Sequence, residues 1–409
     1  MVPFFLIFVA IIAVMAGIYT VPKQDRVFLF RLALLAFLLR VLFIIATQSF
    51  DTAFIQYVQS SDAQYYQYMG RLVADAWNEG RSYTIYKSNY GYYYWNGLIY
   101  YLVGYKPDFV RVLNSVVAVC TGFNLYFMAL KLSGERAAKI SFVLAVFFPS
   151  SILWSSLNLK DSLIIFLITL IIKKSIELME KFSPAKVILI SVLLMALVSL
   201  RFYAGIILAI TISLSYVFTA TKFLLWQRFV YALVLFFFAG FVLQQMGYGF
   251  LGTDYLFSQN IETIGEQHAR GAYGSAAFAD NVTFDSYTDA LKYLPVGVFY
   301  FLFSPLPWQS VGPIRIITIP EMLFLYFSYG YLVIGLKHLW RTHRGPCLFL
   351  LLVIAFFGLI YSLGSSNIGG LYRVRLQVIM IAFIFIGSGM QKSWALSRIF
   401  GRLVKRKSF

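Results

Sequence analysis

Apolar runs long enough to cross a bilayer recur along this chain, separated by short polar intervals and by two long ones. Eleven such stretches stand out, at residues 2–19, 28–48, 110–130, 140–156, 159–172, 187–200, 203–219, 229–245, 319–336, 346–363 and 371–390. Several approach or exceed 18 apolar residues, the length a helix needs to span a hydrocarbon core of about 30 Å. The pattern predicts an all-α integral membrane protein, a single polytopic domain of about eleven transmembrane helices. The long intervals, 49–109 and 246–318, then become two extracytoplasmic segments carrying short interfacial helices. Residues 2–19 lack a basic leading stretch and a small-residue cleavage site, so they read as a retained span.

Charge orients this array. Lys and Arg number 34 against 17 acids. Alternate intervals and the C-terminal tail, with Arg31 just inside the second span, hold 21 of those basic residues but only four acids, Asp25, Glu135, Glu177 and Glu180. The positive-inside rule makes these the cytoplasmic side, with the N-terminus outside, the C-terminus inside and both long segments outside the inner (cytoplasmic) membrane. The chain is 60% hydrophobic and 12% charged. That composition excludes a soluble globular protein, so its net charge of +17 reports basic loops rather than a nucleic-acid partner. Cys120 and Cys347 lie in apolar runs and indicate neither a disulfide framework nor a zinc site.

In the first long segment, Ser61 and Gln64 have capping-box spacing and Asp62 falls in the first turn. Tyr65, Met69, Leu72, Val73 and Ala76 follow at helical spacing, which predicts a helix lying along the membrane surface. An acid at Asp62 complements the helix dipole whatever else it does. Topology adds a stronger signal. Asp62, the turn holding Asn158, Lys160 and Asp161, then Arg201, Glu321 and the group Tyr372, Arg373 and Arg375 all fall at the outer side of a span. Ionisable groups at one depth avoid lipid and gather around a shared cavity. Carboxylates Asp62, Asp161 and Glu321 can serve as a base or orient an acceptor. Arg201, Arg373 and Arg375 match phosphate oxygens in a bidentate fork. On a helix Arg373 and Arg375 point to nearly opposite faces, and Gly369-Gly370 before Tyr372 favour Arg373 as the one facing the site.

Other polar features have blander readings. Lys160 taken alone is a span-end cation. Arg40 lies inside the second span, roughly 12 Å from its outer end, and is expected to face the bundle or snorkel. The Tyr-rich stretch 83–105 reads as membrane-interface aromatics, which can also stack on sugars. Gly265, His268, Arg270, Gly271 and Gly274 mark either a lid or an ordinary loop, and Asn281-Val282-Thr283 is an outer sequon.

Asp62-Ala63-Gln64-Tyr65-Tyr66 resembles the D-x-x-Y-Y context of the catalytic Asp in multi-pass GT-C glycosyltransferases, which take a sugar from a polyprenyl-phosphate carrier. Phe148-Pro149-Ser150-Ser151 with Trp154, leading to Lys160-Asp161, resembles the P-S-x-x-x-W and basic-Asp pattern of bacterial polysaccharide-building members. Arg111-Val112-Leu113-Asn114-Ser115 is similar to their R-x-L-N-S opening of a span. Leu200-Arg201-Phe202-Tyr203 is similar to their L-R-x-Y turn. Phe303-Ser304-Pro305-Leu306-Pro307-Trp308 resembles an F-x-P-x-P-W segment, here preceding Glu321.

This resemblance, to bacterial ArnT- and protein-mannosyltransferase-like members, implies an inverting membrane glycosyltransferase with an extracytoplasmic site. It implies a polyprenyl-phosphate sugar donor and a cell-surface glycan, lipid or protein acceptor. Asp62, Asp161 and Glu321 become the implied catalytic groups. Tyr65, Tyr66, Lys160, Arg201, Tyr203, Arg373 and Arg375 become the implied substrate contacts. The family's Asp-Glu or Asp-x-Asp pair is absent after Asp62, and a soluble C-terminal domain is lacking. No cofactor is therefore specified, and a divalent metal stays open. An O-antigen-type polysaccharide polymerase or ligase is the nearest alternative, and a transporter of lipid-linked oligosaccharide the next. A transporter would set its ionisable groups near the midplane and show repeated halves, and the sequence has neither.

Overall fold

The structure, a computed structural model, describes residues 19–50, 61–83, 90–219, 286–309 and 315–393, with a few single positions besides. The described residues form thirteen α-helices and no strand. In chain order these are α1 (Lys23–Ser49), α2 (Ser61–Asn78), α3 (Tyr90–Val103), α4 (Pro107–Ser133), α5 (Glu135–Phe147), α6 (Pro149–Ser155) and α7 (Asp161–Glu180). They continue with α8 (Pro184–Leu200), α9 (Phe202–Thr219), α10 (Tyr287–Phe303), α11 (Arg315–Thr342), α12 (Arg344–Gly364) and α13 (Ile368–Lys392).

Five of these, α1, α4, α11, α12 and α13, are long and apolar enough to cross a membrane. The helices α5 and α6 make a sixth if counted as one span bent by 50°. Eleven spans are therefore more than the described helices establish. Residues 2–16 of the first expected span, nearly all of 229–245, the sequon and the basic tail beyond 393 lie outside the described residues. The helices α8 and α9 are apolar but shorter, and α7 carries Lys173, Lys174 and Glu177 in its second half.

Two expectations need correcting. The stretch 140–156 is not one helix, because Pro149 has no N–H to continue the ladder and its ring crowds the preceding turn. Residues 23–27, expected as a loop, are instead the first turns of α1. Asp25 is buried there, accepting a hydrogen bond from the Tyr126 hydroxyl (2.5 Å) and pairing with Lys139 (2.7 Å).

The core is built around α13, which is buried at every position from Leu376 to Gly389 and packs on α11, α5, α12 and α4. A helix apolar on all sides belongs inside. It meets α11 at glycines. A Cβ on Gly335 would stand 1.8 Å from the Phe385 carbonyl oxygen, and one on Gly389 would stand 1.8 Å from that of Tyr331. Small residues permit such backbone approach between membrane helices.

The helix ends sort into two groups. At one end Ser133 Oγ donates to Ser388 Oγ (2.8 Å), Gln391 bridges Ser133 O and Ala137 N, and Lys131 pairs with Glu180. These are intervals the charge pattern assigns to the cytoplasm. At the other end lie α2, α3 and the starts of α7, α9 and α13. The expected helix at Asp62 is α2, with Tyr66, Met69, Val73 and Ala76 buried, while the Ser61 side chain lies outside the described residues. Packed against it, α3 buries Tyr92, Tyr93, Asn96 and Tyr100. That part of the Tyr-rich stretch is interior rather than a membrane-interface belt.

Candidate active site

Between α6 and α7, residues 156–160 make a tight buried turn, and its backbone polar groups need partners. Arg111 and Asn114, three apart on one face of α4, supply them. Arg111 Nε donates to Ser156 O (2.9 Å), and its Nη2 donates to Thr47 Oγ1 on α1 (2.5 Å). Asn114 Nδ2 donates to Leu157 O (3.2 Å), Leu159 O (3.1 Å) and the Tyr92 hydroxyl (2.8 Å). The Tyr92 hydroxyl in turn donates to Asn158 Oδ1 (2.7 Å), and Asn158 Nδ2 donates to Asn96 Oδ1 (2.8 Å). Two helices, α3 and α4, thus hold the turn that presents Lys160 and Asp161, with Thr47 of α1 bracing Arg111.

Asp161 opens α7 and is buried. Arg373, just inside an α13 whose start is capped by Asn367, donates from Nε to Asp161 Oδ2 (2.7 Å). Its Nη2 lies 2.6 Å from the same oxygen, and its Nη1 donates to Asp62 Oδ2 (2.9 Å). One guanidinium therefore ties the first turn of α2 to that of α7. On the other side Arg201, between α8 and α9, places Nη2 3.4 Å from Asp161 Oδ1. Arg201 is buried, which works against its charge. Tyr203, Tyr361 and Asp161 outweigh that and hold its pKa above the ordinary arginine value. The Tyr361 hydroxyl itself donates to Gln377 Oε1 (2.6 Å). Buried charges with this many good partners can persist in a low-dielectric interior.

Two cationic groups keep unused donors. Arg201 Nη1 has no hydrogen-bond partner among the described residues. Lys160 is buried rather than snorkelling, lies 5.9 Å from the Tyr66 ring and makes no ion pair among the described residues. Burial first, and then Arg201, push its ammonium down to about 7. Tyr66 is also buried, and desolvation pushes its hydroxyl up. Free donors beside a saturated acid are the chemistry by which a protein meets an anion.

The structure brings together Asp62, Tyr66, Lys160, Asp161, Arg201, Tyr203 and Arg373. It does not bring Glu321 or Arg375 to them. Arg375 turns away to donate to Phe301 O (3.2 Å), Ser304 O and Met322 Sδ (2.9 Å). Glu321 Oε2 accepts from Ser150 N (2.7 Å) at the start of α6. Trp154 and Tyr372 stand between the two groups, edge to face with centroids 6.3 Å apart, and the Arg373 guanidinium lies 6.0 Å from the Trp154 ring. Tyr65 is exposed and edge-on to Tyr93 at 5.9 Å. His268 is buried elsewhere, with Nε2 3.3 Å from the Tyr293 hydroxyl. Arg270, Gly271 and Gly274 lie outside the described residues.

Sequence reading missed Tyr361, Gln377 and Asn96, and took Tyr92 as one of the interface aromatics. A tyrosine in an apolar run carries no pattern signal. The amides Asn96 and Gln377 could have been flagged, since an amide buried in a span needs a partner. Among the described residues no three His, Cys, Asp or Glu gather to hold a metal ion. The two acids present share a guanidinium, a donor set that does not fit a divalent cation.

No protein-family model matches this chain, and no curated protein matches it. Solved structures do. ArnT from Cupriavidus metallidurans, bound to undecaprenyl phosphate, aligns over 94% of this chain and 64% of its own, with a TM-score of 0.56 and 14% identity. The oligosaccharyltransferase AglB from Archaeoglobus fulgidus, in complex with an inhibitory peptide and a dolichol-phosphate, aligns over 94% of this chain and 52% of its own. Its TM-score is 0.57 at 12% identity. This chain therefore spans less than two thirds of either relative, and its fold is GT-C-like.

Proposed function

We propose that this chain is a membrane glycosyltransferase that moves a sugar from a polyprenyl-phosphate donor to a cell-surface glycan, lipid or protein. The carrying observation is the cluster in which Arg373 joins Asp62 to Asp161 while, among the described residues, Arg201 Nη1 has no hydrogen-bond partner and Lys160 no ion pair. Support comes from the GT-C-like fold, shared with proteins whose structures hold a lipid phosphate. The basic intervals at the opposite end of the bundle support an extracytoplasmic site in the inner (cytoplasmic) membrane, with the N-terminus outside and the C-terminus inside.

In this reading the acceptor oxygen bonds to the anomeric carbon while the bond from that carbon to the phosphate oxygen breaks. The phosphate leaves with the electron pair, and the acceptor gives up its proton. Arg201 Nη1 and Lys160 Nζ meet the charge growing on the phosphate, in a buried setting where such contacts are strong. Asp62 is the edge of the cluster, its side chain 54% exposed, and Oδ1 has no partner among the described residues. It receives the proton. Attack from the face opposite the phosphate inverts the anomeric carbon. Asp161, with both oxygens engaged, aims the two arginines instead of taking a proton. Tyr65 and Tyr66 offer ring faces to the sugar or acceptor.

Asp62→Asn tests the reading in vesicles supplied with a polyprenyl-phosphate sugar. The change keeps capping ability and size, so donor binding and thermal stability stay near parental, with a loss of about 0.3–1 kcal/mol of dipole interaction. Turnover drops by about 10²–10⁴-fold. Turnover within a few-fold of the parent would make Asp62 a helix cap only.

A further inference from the structure

The seven-residue α6 carries Trp154 and leads into the turn that presents Lys160 and Asp161. Its beginning is a break. In an uninterrupted helix the Ser150 N–H would donate to Val146 O, four residues back. The bend at Pro149 removes that bond. Both of its halves are taken up by charged side chains from other helices. Ser150 N donates to Glu321 Oε2 of α11 (2.7 Å), and Val146 O accepts from Arg40 Nη1 of α1 (2.9 Å). The signs suit the helix ends, a guanidinium at the carbonyl end of α5 and a carboxylate at the amide end of α6. Arg40 continues along α6, donating to Ser151 Oγ (3.1 Å) and Ser155 Oγ (2.8 Å). Both charges are buried in span-forming helices, where an ion is costly to keep.

We propose that Arg40 and Glu321 are positioning residues that clamp α6 between α1 and α11, and so set Trp154 and the Lys160–Asp161 turn for glycosyl transfer. The turnover part of this inference rests on the function proposed above; the clamp itself does not. Trp154 transmits the position, since its ring lies beside both Tyr372 and the Arg373 guanidinium. Glu321 is thereby removed from proton transfer, because its carboxylate holds a backbone N–H away from the acid–arginine cluster.

Three variants decide it. Glu321→Gln keeps an oxygen for the Ser150 N–H without the charge, Glu321→Ala removes the acceptor, and Arg40→Met removes the donors to Val146 and the serines. Hydrogen–deuterium exchange of the purified protein in nanodiscs follows residues 147–162, and turnover uses a polyprenyl-phosphate sugar. Glu321→Ala and Arg40→Met both speed exchange in that stretch and lower kcat by about 10–100-fold, the scale of a small misplacement. Glu321→Gln stays close to parental in both readouts. If Glu321→Gln is as slow as Glu321→Ala, the charge itself is needed and the clamp is wrong. Parental exchange in either Glu321→Ala or Arg40→Met also overturns it. Should Glu321→Ala fail to fold, Glu321→Gln and Arg40→Met decide by the same criteria. A parental protein without transfer activity would sink the glycosyltransferase reading alone, and the exchange measurements would still decide the clamp.

Discussion

Lys160 presents an ammonium that burial, and then the neighbouring Arg201, push down to about 7. Free protein therefore loses this charge as pH rises through neutrality. The donor is a phosphodiester and keeps its single negative charge throughout. If the phosphate meets Lys160, binding takes up a proton above that pH, and the dissociation constant rises by at most about tenfold per unit. Measured with a fluorescent lipid-phosphate sugar, parental affinity falls between about pH 6 and pH 9, while Lys160→Arg stays charged and gives a flat profile. Equal slopes would assign the titration to another group. At this scale the sequence showed which residues share a depth but not which ones touch. Asp161 and Arg373 are 212 positions apart and Asp62 and Arg373 are 311 apart, separations that no local spacing encodes. Glu321 and Arg375 have the same outer location in the sequence yet bond elsewhere.

Among the elements, α11 and α13 owe their contact to Gly335 and Gly389. A methyl group on Gly389 would meet the Tyr331 backbone, which cannot swing aside as a side chain can. Overpacking of this sort costs about 1–3 kcal/mol. Gly389→Ala therefore lowers the unfolding midpoint in detergent, whereas Gly330→Ala, with nothing within 4 Å of the added carbon, leaves it unchanged. Equal midpoints for both would mean the helices part without cost. Helix existence was legible from run length and periodicity, as for α2 and α4. The break at Pro149 was visible as a proline but hidden by the continuous apolar run around it. What makes the break stable is supplied by α1 and α11, so a window of one helix could not reveal it.

Across the whole molecule, the clustering of basic intervals at the end opposite the acid–arginine group predicts a single sidedness. In a background lacking Cys120 and Cys347, a membrane-impermeant maleimide added outside labels Glu79→Cys but neither Ser183→Cys nor His343→Cys. Labelling of Ser183→Cys from outside would overturn the helix order. By itself the sequence determined the class of structure, an all-α membrane protein, and set Asp62, Lys160, Asp161, Arg201 and Arg373 at one end of its helices. Run length and loop charge are local quantities, set by bilayer thickness and by the cost of moving cations across it. Tertiary structure alone decided that Arg373 joins Asp62 and Asp161, that Arg201 Nη1 is left without a partner among the described residues, and that Arg40 and Glu321 bond at the broken helix. Those outcomes depend on side chains from several helices meeting, most of them where water is excluded. There each buried charge takes whichever partner the packing brings within hydrogen-bond reach.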